Sequence, residues 1–180
     1  WVNATTFGWH AGVSDRDNYL HTLPMFHCNG WGMPYAVTGM GGKHVVLREV
    51  RGDEILRRVE EHDITYMCGA PAVVAAVLEA AQDWEGEIPG KGRVRIVVAG
   101  APPPTQSMAR TEDELGWEFI QIYGLTETSP LLTMNRCRSE WDDFGSEEKA
   151  RKLSRAGAPA VGVKIEVDQQ GEILARSNVV

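Results

Sequence analysis

Cysteine is scarce in this 180-residue chain, and the three present, Cys28, Cys68 and Cys137, are odd in number and far apart. No CxxC pair and no Cys/His ligand spacing occurs, which argues against a disulfide framework and a zinc site and points to a reducing, cytoplasmic setting. Long apolar runs are missing too. The longest, Ala70 to Leu78, falls well short of the ~20 residues that cross a bilayer, so no membrane span is expected. Basic residues are outnumbered, 18 Lys and Arg against 25 Asp and Glu, for a net charge of −7. That balance argues against a nucleic-acid or membrane-surface binder, either of which would carry a basic patch. It leaves room for an anionic small ligand, because backbone amides at a helix start and one or two cations can hold an anion in an acidic protein. No GxGxxG follows the first strand-like segment, which removes nucleotide-dependent redox chemistry. The opening WVNATTFGWH has neither the basic nor the apolar stretch of a secretory leader and no initiator methionine, so the chain is expected to be a piece of a longer protein.

At this length one domain is expected, able to bury roughly 70% of the surface its unfolded form exposes. Strand and helix signals alternate along it. NYLHTLP reads as a short strand stopped by proline, WGMPYAVTGMGG as an apolar helix ending in glycines, and KHVVL as a buried strand. DEILRRVEEHD places Ile55, Leu56 and Val59 on one face, with Glu54 four residues before Arg58, and reads as an amphipathic helix. ITYMCG is a strand, APAVVAAVLEAAQDW a buried helix, GEIPGKG a loop and VRIVVAG the clearest buried strand. PTQSMARTEDELG is a helix opened by prolines and WEFIQIYG the fifth strand. Units of this kind predict an α/β fold, a parallel β-sheet of about five strands with helices on both faces and right-handed crossovers.

After Pro130 the alternation stops. SEEKARKLSRAG reads as a helix with Ser146 as its N-cap and Gly157 as its stop. VGVKIEVDQQGEILARS reads as a β-hairpin around a Gln-Gly turn, the start of a small β-rich segment. The expected division is an α/β unit over 1–130, a loop and helix connector over 131–160, and the β-rich start over 161–180.

In an open parallel sheet, ligands bind beyond the carboxyl ends of the strands. Here that rule lands on MFHCNGW after the first strand, GAP after the third, AGAPPP after the fourth and YGLTETS after the fifth, whereas the amino ends carry ordinary charged surface. AGAPPP gives close backbone approach at Gly100 and a rigid lead into a helix, which suits a flat heterocycle lying on backbone; a plain strand-to-helix turn would read the same. In IQIYGLTETSP, Thr126 and Thr128 offer hydroxyl donors and Glu127 a hard oxygen ligand, a set that suits a phosphate and a bridging Mg2+. A helix N-cap with an early glutamate is the alternative. TGMGGKH is a poor phosphate loop, with Val37 where the first glycine belongs and His44 where Ser or Thr belongs, so it reads as a helix stop. His10, His21, His44 and His62 read as surface or strand residues. His27, beside Asn29 and Gly30 in a strand-end loop, is the histidine with a candidate role, although a satisfied structural histidine fits the position as well.

At these residues the chain resembles the adenylate-forming superfamily, the acyl-CoA synthetases and their relatives. YGLTETSP is similar to its signature around a Mg2+-binding glutamate, AGAPPP to its adenine-contacting segment, LPMFHCNGW to its acyl-pocket motif, and GEILARSNVV to the start of a later GE-[IL]-x-x-[RK]-G segment. FHCNGW and the following MPYAVTGMGGKHVVL are most similar to fatty-acyl-CoA ligases. The resemblance implies that Tyr123 flanks an adenine bordered by Gly100, Ala101 and Pro102, that Thr126 binds phosphate and that Glu127 holds Mg2+. It puts His27 near the reacting carboxylate and Gly124 at the floor of the acyl pocket, with Asn29 and Gly30 beside it. Trp31 matches the aromatic gate of fatty-acid tunnels.

The implied reaction has two steps, with ATP, Mg2+ and coenzyme A as co-substrates: a carboxylate, here a fatty acid, attacks the α-phosphate of ATP, and the coenzyme A thiolate then displaces AMP. The resemblance also implies a Ser/Thr/Gly-rich phosphate loop before Trp1, and a ribose-binding aspartate and a lid with a catalytic lysine after Val180. The 180 residues alone are therefore expected to be inactive, to bind ATP at best at about millimolar strength, and to self-associate through open apolar surface. Two other readings stay open: a ligase that loads a carrier protein, and a non-catalytic α/β binding module that keeps the motifs only as fold.

Overall fold

A computed structural model of the protein describes residues 1–178. Five strands, β1 (Asn18–His21), β2 (Lys43–Val46), β3 (Tyr66–Gly69), β4 (Arg95–Val98) and β5 (Glu118–Gly124), coincide with the five read from the sequence. They pair in parallel. Two more, β6 (Leu131–Asn135) and β7 (Ala158–Pro159), extend the same sheet antiparallel, giving the order β2-β1-β3-β4-β5-β6-β7. A separate antiparallel hairpin, β8 (Lys164–Val167) and β9 (Ile173–Arg176), follows. Its loop is held by Asp168, whose Oδ1 accepts the backbone N–H groups of Gln170 and Glu172.

The helices are α1 (Val2–Ala11), a single turn α2 (Cys28–Trp31), α3 (Met33–Gly39), α4 (Gly52–Glu61), α5 (Pro71–Gln82), α6 (Thr105–Arg110) and α7 (Ser146–Leu153). Successive strand residues point to opposite faces, and β4 shows the result. Ile96 and Val98 join Ile55, Leu56 and Val59 of α4 and Val77 of α5, while Val97 between them joins Phe7 of α1 and Met33 and Val37 of α3. So α4 to α7 cover one face, and α1 and α3 the other. At the amino ends, buried Asp17 ties three strands together: Oδ1 accepts from Arg95 Nη2 at 2.8 Å and Thr65 Oγ1 at 2.7 Å, and Oδ2 accepts the Ser14 N–H at 2.8 Å.

The structure departs from the sequence reading after Pro130. β6 is buried at every position, so it has no polar alternation to announce it. Its Asn135 then caps α7, Nδ2 donating to the carbonyls of Lys152, Leu153 and Arg155. Gly145 is the N-cap of α7, one residue before the predicted Ser146, whose hydroxyl instead donates to Asp113. Gly157 is not the helix stop: α7 ends at Leu153, and Gly157, at φ 92°, lets the chain approach β6, since a Cβ there would lie 2.2 Å from the Met134 carbonyl oxygen. The helix expected through Gly116 ends as α6 at Arg110 and continues as a wider π turn over Thr111–Leu115.

His21, buried at the end of β1, has Nε2 2.8 Å from His44 Nδ1, and His44 Nε2 lies 2.9 Å from Thr38 Oγ1. Burial, and then the neighbouring His44, push the His21 pKa down to about 4. The unfolded chain, with a histidine pKa near 6.5, takes up a proton that the folded one refuses. Stability is therefore complete above about pH 6.5 and declines as pH falls towards 4, by on the order of 2 kcal/mol. The urea midpoint is expected to be lower at pH 5 than at pH 7, with a smaller difference in His21→Gln; an equal pH difference in both proteins would refute this origin.

Candidate active site

The strand order β2-β1-β3-β4-β5 has its topological switch between β1 and β3, where a crevice opens at the carboxyl ends. The loop after β1 crosses that crevice and reaches the loop after β5. Its turn α2 is wound left-handed: φ is 47° at Cys28, 48° at Asn29, 58° at Gly30 and 59° at Trp31, and Gly32 follows at 76°. Each residue with a side chain loses about 1–2 kcal/mol in this conformation, so it persists only where the surroundings enforce it. The turn drives Trp31 into the core and leaves His27 and Asn29 exposed, with Gly30 buried beneath them.

After β5, Leu125 leads into a 3-10 turn over Thr126–Thr128. The hydroxyl cluster divides there. Thr128 is buried; its Oγ1 accepts the Leu125 N–H at 2.8 Å and is within 2.8 Å of the Pro130 carbonyl oxygen, to which it donates. Thr128 therefore holds the loop and offers no free donor. Thr126 and Glu127 face outward. Thr126 Oγ1 accepts from Cys28 Sγ at 3.3 Å, which joins the two loops. Glu127 makes no ion pair or side-chain hydrogen bond among the described residues.

A cavity of about 50 Å³ lies where the loops meet, and His27, Trp31, Gly100, Gly124 and Thr126 line it together with Ile122. A wider depression of about 340 Å³ shares Cys28 and Thr126 with it and takes in Asn29 and Ser129. Gly100, at φ 92°, has nothing within 4 Å of where a Cβ would stand, so a ligand can lie directly on its backbone. Ala101 and Pro102 are exposed beyond it, and Tyr123 is half-buried at the end of β5. The loops thus bring together five of the eleven sequence-read positions in one cavity and leave Asn29, Gly30, Ala101, Pro102, Tyr123 and Glu127 outside its lining. A cavity of about 490 Å³ sits at the opposite, amino ends of β4 and β5, where Arg136 pairs with Glu118 and Lys149 with Glu112.

Two residues in these segments escaped the sequence reading. Cys28 carries the link to Thr126. Gln121, two residues before Tyr123 and so on the same strand face, is buried with no partner for Oε1 among the described residues. A lone amide inside the apolar strand WEFIQIYG was the available signal, because a buried polar group needs a partner. The described residues hold no cluster of three or more His, Cys, Asp or Glu side chains able to bind a metal ion. Glu127 could hold a magnesium ion only together with phosphate oxygens and water, the usual manner for that ion. No helix among the described residues is long and apolar enough to cross a membrane.

Known proteins resemble this chain in sequence and in fold. The 2-methylpropanoate–CoA ligase CCL4 of Humulus lupulus is 40% identical over 150 residues, 83% of this chain and 26% of that protein. The peroxisomal trans-cinnamate:CoA ligase of Petunia hybrida is 34% identical over 160 residues, 89% of this chain and 27% of that protein. O-succinylbenzoate coenzyme A synthetase of Bacillus subtilis, solved with ATP and a magnesium ion, shares the fold with a TM-score of 0.77 at 20% identity, over 98% of this chain and 36% of that one. The chain spans about a quarter of the length of the curated relatives it matches. The sequence model of the AMP-binding enzyme family covers residues 1–179, and with the motifs converging at the carboxyl ends of a mostly parallel sheet, the chain belongs to that family.

Proposed function

We propose that the protein containing this chain is an acyl-CoA synthetase, which activates a fatty acid with ATP and passes the acyl group to coenzyme A. The observation that carries the reading is the meeting of three loops, after β1, β4 and β5, around one cavity, with Thr126 tied to Cys28 at its mouth. The names of the hop and petunia relatives, both CoA ligases, favour the same chemistry.

The residues present suit the co-substrates. The orphaned Gln121 Oε1 can accept from an exocyclic amino group, and the open backbone at Gly100 can take the face of a purine. Because the Cys28 thiol donates to Thr126 Oγ1, the Thr126 hydroxyl proton is free to donate to a phosphate oxygen. Magnesium ion, held by Glu127 and phosphate oxygens, would neutralise charge as it gathers on the α-phosphorus. A carboxylate oxygen attacks that phosphorus and pyrophosphate leaves; the coenzyme A thiolate then attacks the acyl carbon and AMP leaves. Donors already aimed at the phosphate lower the barrier because they need no reorganisation. Three free cysteines suit a reducing compartment, the cytoplasm in our reading.

The test is ATP–pyrophosphate exchange by the gene-length protein over a series of fatty acids. Exchange that requires an acid is expected; a folded protein that gives none with any acid would sink the proposal. The 180-residue chain by itself is expected to form no acyl-CoA, and turnover by it would contradict the division of labour proposed. Trp1 and Phe26 are each 94% exposed and Trp9 75%, so this piece alone is also expected to self-associate. A monomer in light scattering at micromolar concentration would exclude that.

A further inference from the structure

We infer that Cys28 is a positioning residue for the proposed reaction: its thiol sets the direction of the Thr126 hydroxyl and, through it, the contact to phosphate. This rests on the ligase reading above and adds to it a residue that acts through Thr126, not on the substrates. A threonine hydroxyl has one proton to donate and two lone pairs, and left alone it rotates. Thr126 Oγ1 has one side-chain partner among the described residues, Cys28 Sγ at 3.3 Å, which donates to it. With a lone pair turned to the thiol, the hydroxyl proton points away from Cys28. Cys28 and Thr126 together line both the small cavity and the wider depression, so that proton faces the space a ligand would enter.

Both ends of the contact are held. Thr126 lies in a turn fastened by the Thr128 hydroxyl to Leu125 and Pro130. Cys28 is placed by a turn that the chain adopts against its preference, with φ at 47° there and Asn29 and Trp31 left-handed as well. Such strain persists only where the surroundings enforce it, and it gathers at functional sites. The enforcing contacts are on the far side of the turn. Trp31 is buried, and its carbonyl accepts from Asn3 Nδ2 of α1 at 3.4 Å. A Cβ on Gly32 would stand 2.7 Å from that same nitrogen, so α1 fits closely against the turn. A thiol is a weak donor. It suffices here because the backbone holds both residues and the bond has only a hydroxyl rotor to set.

The experiment is a double-mutant cycle in the gene-length protein, read by pyrophosphate exchange and, with no acid present, by calorimetric titration with ATP. Cys28→Ala is expected to lower kcat about tenfold with the KM for the acid unchanged, and to weaken ATP binding about threefold. Cys28→Ser keeps a donor and should stay within about threefold of the wild-type kcat. In a Thr126→Val background, Cys28→Ala should change either readout by less than about twofold, because the group it acts through is gone. Equal losses from Cys28→Ala in both backgrounds overturn the inference and leave the ligase reading standing. So does a serine variant as slow as the alanine one, a Cys28→Ala protein as active as wild type, or one that fails to fold, which would make the thiol a structural support. A folded wild type that gives no exchange with any acid overturns the ligase reading and the inference with it.

Discussion

Replacing Glu127 by Gln in the gene-length protein is expected to lower acid-dependent pyrophosphate exchange by about 10²–10³-fold, the usual effect of losing one electrostatic stabiliser of a transition state. Thermal stability should stay within about 0.5 kcal/mol of wild type, as for other surface substitutions. The combination follows from where Glu127 sits: it is exposed and makes no ion pair or side-chain hydrogen bond among the described residues, so the fold loses nothing when its charge is removed. The two threonines beside it should separate in the opposite sense. Thr126→Val removes a free hydroxyl donor and should cost activity with little stability. Thr128→Val strands the buried Pro130 carbonyl to which its hydroxyl donates, which costs about 1–3 kcal/mol. Exchange unchanged by Glu127→Gln in a folded protein would take the metal role away from this residue and favour a binding module that kept only the fold.

The five parallel strands could be read in advance because each is bounded by Pro or Gly and all but the last lead into a segment of helical period. The candidate site could be proposed from sequence because a parallel sheet gathers its ligand groups at one end. What stayed hidden depended on partners far along the chain. α1 is built from Val, Thr, Gly and aromatic residues, poor helix formers, and forms because Phe7 and Ala11 pack against α3 and the sheet. β6 has no alternation because both of its faces are covered. Cys28 and Thr126 are 98 positions apart, and their contact exists only because the chain turns left-handed after His27. The family resemblance supplied Gly124 with a role at the acyl pocket, yet the reason a glycine is needed there is visible only once β6 is known.

That reason makes Gly124→Ala the most damaging single methyl group that can be added at the site. A Cβ on Gly124 would stand 1.6 Å from the Pro130 carbonyl oxygen and 2.6 Å from its carbon, both backbone atoms that cannot rotate away. The pairing of β5 with β6 already shifts register between Tyr123 and Gly124. Relief must come either from β6 moving off β5, which breaks the Thr128 bond to the Pro130 carbonyl, or from tilting the peptide that carries Leu125 and Thr126. The first route costs stability and the second moves Thr126, the proposed phosphate donor, so both melting temperature and exchange should fall. Overpacking typically costs about 1–3 kcal/mol, and with backbone on both sides the upper end is expected, a fall of roughly 6–12 °C for a domain of this size. Gly100→Ala is the contrast. Its Cβ meets nothing, and only the positive φ is penalised, at about 1–2 kcal/mol. A Gly124→Ala protein that melts within about 2 °C of wild type would mean that β6 can slide along β5 freely. In that event the glycine answers to the ligand alone, and Gly124→Ala should then lose exchange while keeping its fold.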